Sequence, residues 1–179
     1  MSDVNILKVK CEKSIKQLKE ISLGVMAECE QIIRVCDERM NMFGAPKDER
    51  SRAEAVEICF KKLKKINELT QNALDAVLII YSSVLKYNEL ASTPPYKKTG
   101  TYSSADIFSS SYFFALANEI GNVFEDLFES DVPSLINCII EGLDLDNDGA
   151  DINISAVASS SRNIANSVSK ATNYYLKEI

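Results

Sequence analysis

The chain has 179 residues, which suits one domain able to build its own core without metals or disulfides. Hydrophobic residues at 46% and charged residues at 26% give a globular balance, and exclude a disordered or membrane-embedded chain. The net charge of −6 is unevenly spread: residues 1–91 carry 15 Lys+Arg against 14 Asp+Glu and residues 92–179 carry 5 against 12, so the acidic half would repel nucleic acid and acidic lipid.

The first predicted element is a helix from about Val4 to Met42. Its apolar residues Val4, Leu7, Cys11, Ile15, Leu18, Ile21, Val25, Cys29, Ile32, Cys36 and Met40 are separated only by threes and fours, the α-helical period. Lys8, Lys10, Lys13, Lys16 and Lys19 lie off that stripe. Phe43-Gly44-Ala45-Pro46 stops the helix, because Gly caps a C-terminus and Pro cannot continue the hydrogen-bond ladder. A second helix follows from about Asp48 to Leu90, with a stripe of Ala53, Val56, Phe60, Leu63, Ile66, Leu69, Ala73, Val77, Ile80, Val84 and Tyr87. Leu74, Leu78, Tyr81 and Leu85 widen the apolar surface of its second half, so the later helices are expected to cover it.

Pro94-Pro95 and Gly100 mark residues 92–103 as a loop, read as a crossover connection with Tyr96 and Tyr102 as the alternative recognition elements. Ser103-Ser104-Ala105-Asp106 can cap a third helix, running to about Phe128 and rich in aromatics: Phe108, Tyr112, Phe113, Phe114, Phe124 and Phe128. Rings at helical spacing point to core, with an exposed partner groove as the alternative. Ser130-Asp131-Val132-Pro133 is expected to open a separate short helix to about Leu143, since Pro is tolerated in a first turn. The last helix spans about Ile154 to Lys177 on a stripe of Ile154, Val157, Ser161, Ile164, Val168, Ala171, Tyr175 and Ile179, with small residues that allow close helix approach.

Catalytic motifs are scarce. Histidine is absent, which removes the commonest general base and metal ligand. Cys11, Cys29, Cys36, Cys59 and Cys138 are odd in number and show no C-x-x-C spacing, so they read as small apolar residues of a reduced protein. No signal-peptide core opens the sequence, and the longest apolar run, Ala76 to Tyr81, is too short to span a bilayer. A cytoplasmic location is therefore expected.

One segment proposes specific chemistry. Asp144, Asp146 and Asp148 followed by Gly149 resemble the opening of an EF-hand or dockerin calcium loop, in which alternate carboxylates and a sharp glycine turn wrap the cation. The resemblance implies Asp144, Asp146 and Asp148 as ligands, with Asp151 as a substitute ligand. Ser155 stands where the closing bidentate Glu belongs, and Asp151 where an aliphatic residue belongs. The leading reading is an acidic capping turn before the last helix, with bound Ca²⁺ as the alternative.

The two long helices and their short turn also resemble the Trp-x-Gly helical hairpins of type VII secretion, and Tyr174–Glu178 resembles their Tyr-x-x-x-Glu tail. Met42-Phe43-Gly44 replaces Trp-x-Gly here, and the seven tyrosines make one such tail match expected by chance, so membership is not assigned.

Together these observations predict an all-α helical bundle of about five helices built on a long N-terminal antiparallel helical hairpin. Residues 1–91 form the hairpin, residues 92–103 the loop, and residues 104–179 the C-terminal helices, which pack on the hairpin's second half. The expected function is a non-enzymatic protein–protein interaction module (adaptor, chaperone, inhibitor or self-assembling coiled-coil subunit). Its partner is another protein or a second copy, with neither nucleic acid nor membrane involved. The calcium alternative requires weak affinity, about 10⁻⁴–10⁻³ M, because the closing Glu is missing. It predicts a melting temperature a few degrees higher in millimolar Ca²⁺ than in chelator, lost in Asp146→Asn/Asp148→Asn; equal melting temperatures would retire it.

Overall fold

Apolar residues placed every three or four positions along good helix formers leave these segments one way to bury their surface, as helices packed side by side. The computed structural model describes residues 3–39, 49–92, 104–141 and 154–176. These form α1 (Asp3–Arg39), α2 (Glu49–Ser92), α3 (Ser104–Asp126), a π-helical turn (Leu127–Asp131), α4 (Val132–Glu141) and α5 (Ile154–Tyr175). Among the described residues there is no strand.

The helices form an up-down-up-down bundle. α1 and α2 are antiparallel and approach closely at Gly24, where a Cβ would lie 3.2 Å from Leu69 Cδ1. Along the same contact Lys62 Nζ stands 3.1 Å from Glu28 Oε2. α3 returns antiparallel to α2: a Cβ on Gly121 would meet Val77 at 3.3 Å, Tyr81 donates to Asn118 Oδ1 at 3.3 Å, and Ser110 donates to Asn88 Oδ1 at 3.1 Å. α5 closes the ring between α1 and α3, with Arg162 Nη2 3.4 Å from Asp37 Oδ2 and Tyr175 donating to Glu119 Oε2 at 3.1 Å. These polar ties are largely exposed and each contributes about 0–1 kcal/mol, so they set the register while burial supplies the stability.

The core follows a strict heptad seam. In α1 Cys11, Ile15, Leu18, Ser22, Val25, Cys29, Ile32 and Cys36 are buried, in alternating steps of four and three. In α2 Cys59, Leu63, Ile66, Thr70, Ala73, Val77, Ile80, Val84 and Tyr87 do the same. Such a 3.5-residue repeat is the packing of left-handed bundles. Of the buried hydroxyls, Ser22 donates to Leu18 O at 2.8 Å, Thr70 to Ile66 O at 2.9 Å and Thr172 to Val168 O at 2.7 Å, whereas Ser161 Oγ has no hydrogen-bond partner among the described residues. In α5 Val157, Ala158, Ser161, Ile164, Val168, Ala171 and Thr172 are buried, and their small size lets α5 lie close along α1. Since α1 is buried from Cys11 to Cys36 and α5 reaches Asp37, the hairpin is covered along its length and not only over its second half.

Two expectations change. In the first turns of α2 the buried residues are Ala55 and Cys59, while Ala53 is exposed and Val56 and Phe60 are half-buried, because the seam enters one position away from the larger side chains. The expected separate helix at Ser130 is instead the continuation of the third rod. Asp126 and Val132 both have right-handed helical backbone, and the Val132 N–H donates to Leu127 O, five residues back. Pro133 has no N–H for Glu129 O, and its ring would collide with that carbonyl in a regular helix; one wide turn relieves both. The wide turn also adds a residue to the seam, which steps from Leu127 to Val132 and then to Leu135 and Ile139.

The heptad seam makes a direct stability prediction. Leu18, 0% exposed, should lose about 2–5 kcal/mol on substitution by Ala. Leu23, 55% exposed on the same helix, should lose less than about 0.5 kcal/mol. Urea unfolding of Leu18→Ala and Leu23→Ala checks the contrast, and similar losses at both positions would contradict this bundle.

Candidate interaction surface

A helix in a ring of four has two neighbours and therefore one flank left to solvent. On α2 that flank carries Lys61, Lys64, Glu68, Asp75, Lys86 and Glu89, but its second half also exposes Leu78, Ile79 and Leu85. Leu74, Leu78, Tyr81 and Leu85 follow one another by four, three and four residues, so they share one face. They were expected to be covered. Instead α3 covers the inner edge: Leu74 and Tyr81 are half-buried, while Leu78 is 63% and Leu85 62% exposed.

The aromatics of α3 divide in the same way. Phe113 and Phe124 are buried in the core and Tyr112 is half-buried against it. Phe114 and Phe128, expected to be core, are 46% and 40% exposed. They stand seven residues to either side of Gly121, on the flank of the rod that faces α2. The Tyr81 and Phe114 rings meet edge to face with centroids 5.3 Å apart, joining the α2 and α3 parts into one strip. Phe108 lies outside the described side chains.

Between Lys98 and Arg162 the sequence has no Lys or Arg, and α3 and the π turn carry Glu119, Glu125, Asp126, Glu129 and Asp131. On α2, exposed Lys86 follows Leu85 and pairs with Glu89 at 2.8 Å, and Glu119 faces α5, where it accepts from Tyr175. Burial, and then the nearby Glu125 charge, hold the Tyr81 phenol above its ordinary value. Burial first and Asp126 second push the Asp131 carboxyl above the ordinary carboxylate value of 3.8. Asp131 is the residue that the π turn moves off the seam in favour of Val132, which leaves it half-buried beside another carboxylate.

The other candidate sites contribute little. Asp144, Asp146, Asp148 and Asp151 lie outside the described residues, as do the hairpin turn at Met42-Phe43-Gly44, the loop tyrosines Tyr96 and Tyr102, and Glu178. Among the described residues no cluster of three or more Cys, Asp or Glu is placed to hold a metal ion. Tyr174 is 79% exposed, its ring edge-on to Tyr175 at 4.8 Å. All five cysteines are free thiols; Cys11, Cys29, Cys36 and Cys59 are buried. Burial raises Cys11 and, with Glu28 adding, pushes Cys29 up to about 12. Across the α1–α2 seam the hydrogen bond with Cys59, and then burial, raise the Cys36 thiol, while the same bond lowers Cys59. A buried neutral thiol is a poor nucleophile. Of the surface grooves, one between α1 and α2 is bordered by Ala27, Val35 and Ile58 with Glu30, Arg34 and Lys62, and one on α5 by Asn166, Lys170, Asn173 and Tyr174; both are open to solvent.

No protein-family model, curated protein or solved structure matches the chain.

The crowding at the π turn has a pH consequence. The folded state holds the Asp131 proton more tightly than the unfolded chain, so Asp131 costs stability as pH rises above 3.8, and the full cost is present once pH exceeds the raised folded value. Asp131→Asn should be more stable than the natural chain at neutral pH, the difference vanishing below that window. Denaturation midpoints from about pH 3 to about pH 7 measure this, and a difference that grows toward acid would refute it.

Proposed function

We propose that this protein is a non-enzymatic interaction module whose working surface is the α2–α3 face. The observation that carries the reading is the exposed pair Leu78 and Leu85 on α2, joined to exposed Phe114 on α3 through the ring contact with Tyr81. Scattered exposed apolar residues are ordinary, but a joined row on two adjacent helices is typical of a partner site. Ile6, Val9, Leu23, Ile140 and Tyr174 are exposed elsewhere on the rods. The absence of histidine and the neutral buried thiols favour binding over nucleophilic chemistry. Among the described residues no helix is long and apolar enough to cross a membrane. Five unpaired thiols fit a reducing compartment such as the cytoplasm. An adaptor, chaperone, inhibitor or self-assembling subunit would each use such a face.

Photo-cross-linking tests the reading in the native source. Benzoylphenylalanine at position 78 or 85 should give adducts of defined mass, and the same group at exposed position 163 on α5 should not. No adduct at 78 or 85, or equal labelling at 163, would overturn it. The Leu78→Ser/Leu85→Ser variant should also bind less hydrophobic dye while changing stability by less than about 0.5 kcal/mol per site.

A further inference from the structure

We propose that Cys36 and Cys59 form a redox switch, a thiol pair that a hydroperoxide converts into a disulfide bridging α1 and α2. Both side chains lie in the heptad seam, 1% and 3% exposed, and their thiols are hydrogen-bonded to each other. Cys11 stands against Ser83, Gly24 packs on Leu69 and Glu28 pairs with Lys62, and the same antiparallel register brings Cys36 level with Cys59. Two sulfurs in hydrogen-bond contact have only about 1.5–2 Å to close before they reach bonding distance. Small side chains give the layer room for that shift: Ala55, one turn earlier in α2, and Ala158 and Ser161 on α5 are buried at this end of the core. The Arg162–Asp37 ion pair sets Ser161 within about a turn of Cys36, and Ser161 Oγ is buried there with no hydrogen-bond partner among the described residues. An unsatisfied hydroxyl at that level is a donor that an anionic sulfur would satisfy.

The two sulfurs take different parts. The shared bond raises Cys36 and lowers Cys59, so Cys59 is the sulfur that ionises, with the Cys36 S–H donating to it. The Cys59 thiolate attacks one oxygen of hydrogen peroxide; the O–O bond breaks, hydroxide leaves and takes up the proton that Cys59 released, and a sulfenic acid remains on Cys59. The Cys36 sulfur then attacks the Cys59 sulfur, the S–O bond breaks, and the hydroxyl departs as water with the Cys36 proton. Two thiols are thereby oxidised to one disulfide while one peroxide is reduced to two waters. Burial selects the oxidant, because a peroxide little larger than water reaches a seam that a bulky disulfide does not. The bridge closes residues 37–58, a loop of about two dozen residues, and so removes conformational freedom from the unfolded chain. The stability of the hairpin then follows the balance of peroxide and thiol around a protein whose cysteines are otherwise free.

Mass spectrometry of the full natural chain tests the proposal. After reduction, a few equivalents of hydrogen peroxide and alkylation in denaturant, the product should carry three labels instead of five, because the bridge occupies two of the five cysteines. Trypsin should release Val35–Arg39 and Ala53–Lys61 as one cross-linked species that dithiothreitol separates. Oxidation should raise the melting temperature by about 5 °C or more, and dithiothreitol should reverse the rise. Cys36→Ala should form no bridge and show no rise, whereas Cys138→Ala should behave as the natural chain does. Five labels after oxidation would overturn the proposal, as would a bridge that uses Cys11, Cys29 or Cys138, or a disulfide between two copies. Sulfinic acid on Cys59 with Cys36 still open to alkylation would overturn it too. A mapped bridge between Cys36 and Cys59 that leaves the melting temperature unchanged would remove the switch, since oxidation would then alter nothing in the fold.

Discussion

The rest of the molecule depends on a seam that advances seven residues for every two turns. Four long rods share it, and each keeps the same positions inward along its length because steps of four and three alternate without error from Cys11 to Cys36 in α1 and from Cys59 to Tyr87 in α2. A regular α-helix with 3.6 residues per turn would drift off such a seam, so the rods must wind slightly about one another to hold it. Burying Leu18, Ile66, Phe124 and Ile164 together is what makes that winding worthwhile.

The π turn in the third rod is a consequence of the same constraint. Continuing the alternation past Leu127 would place Asp131 on the seam, where an unpaired carboxylate is costly. Widening the helix by one residue brings Val132, Leu135 and Ile139 inward and removes the clash that Pro133 would have with Glu129 O. Asp131 is left half-buried next to Asp126, and Phe128 is turned partly to solvent. Core packing and surface chemistry are thus linked at one turn: the insertion that preserves the core also leaves one carboxylate half-buried beside another.

That face exists because a ring of four rods leaves each with an outer flank. On α1 and α5 the flank is mostly charged or small and polar, as Lys13, Lys16, Asn163 and Ser167 illustrate. On α2 it includes Leu78 and Leu85, which no helix among the described residues covers.

The helical nature of every described segment and the antiparallel hairpin were legible in sequence, because apolar spacing of three and four with good helix formers admits no strand. The small faces of α5 were legible too, since Ala158 and Ser161 favour close approach whichever neighbour receives them. The exact seam was not. Ser22 and Thr70 occupy it although they are polar, and only the hydrogen bonds to Leu18 O and Ile66 O, formed once the helices exist, make them acceptable there. Nor could composition separate Phe113 from Phe114, or Tyr81 from Leu78: all are apolar or aromatic, and which are buried depends on where α3 lies along α2. Periodicity within one segment determines secondary structure because it is a local property of that segment. Exposure is a property of neighbours, so the tertiary arrangement alone decided that Leu78, Leu85, Phe114 and Phe128 face solvent.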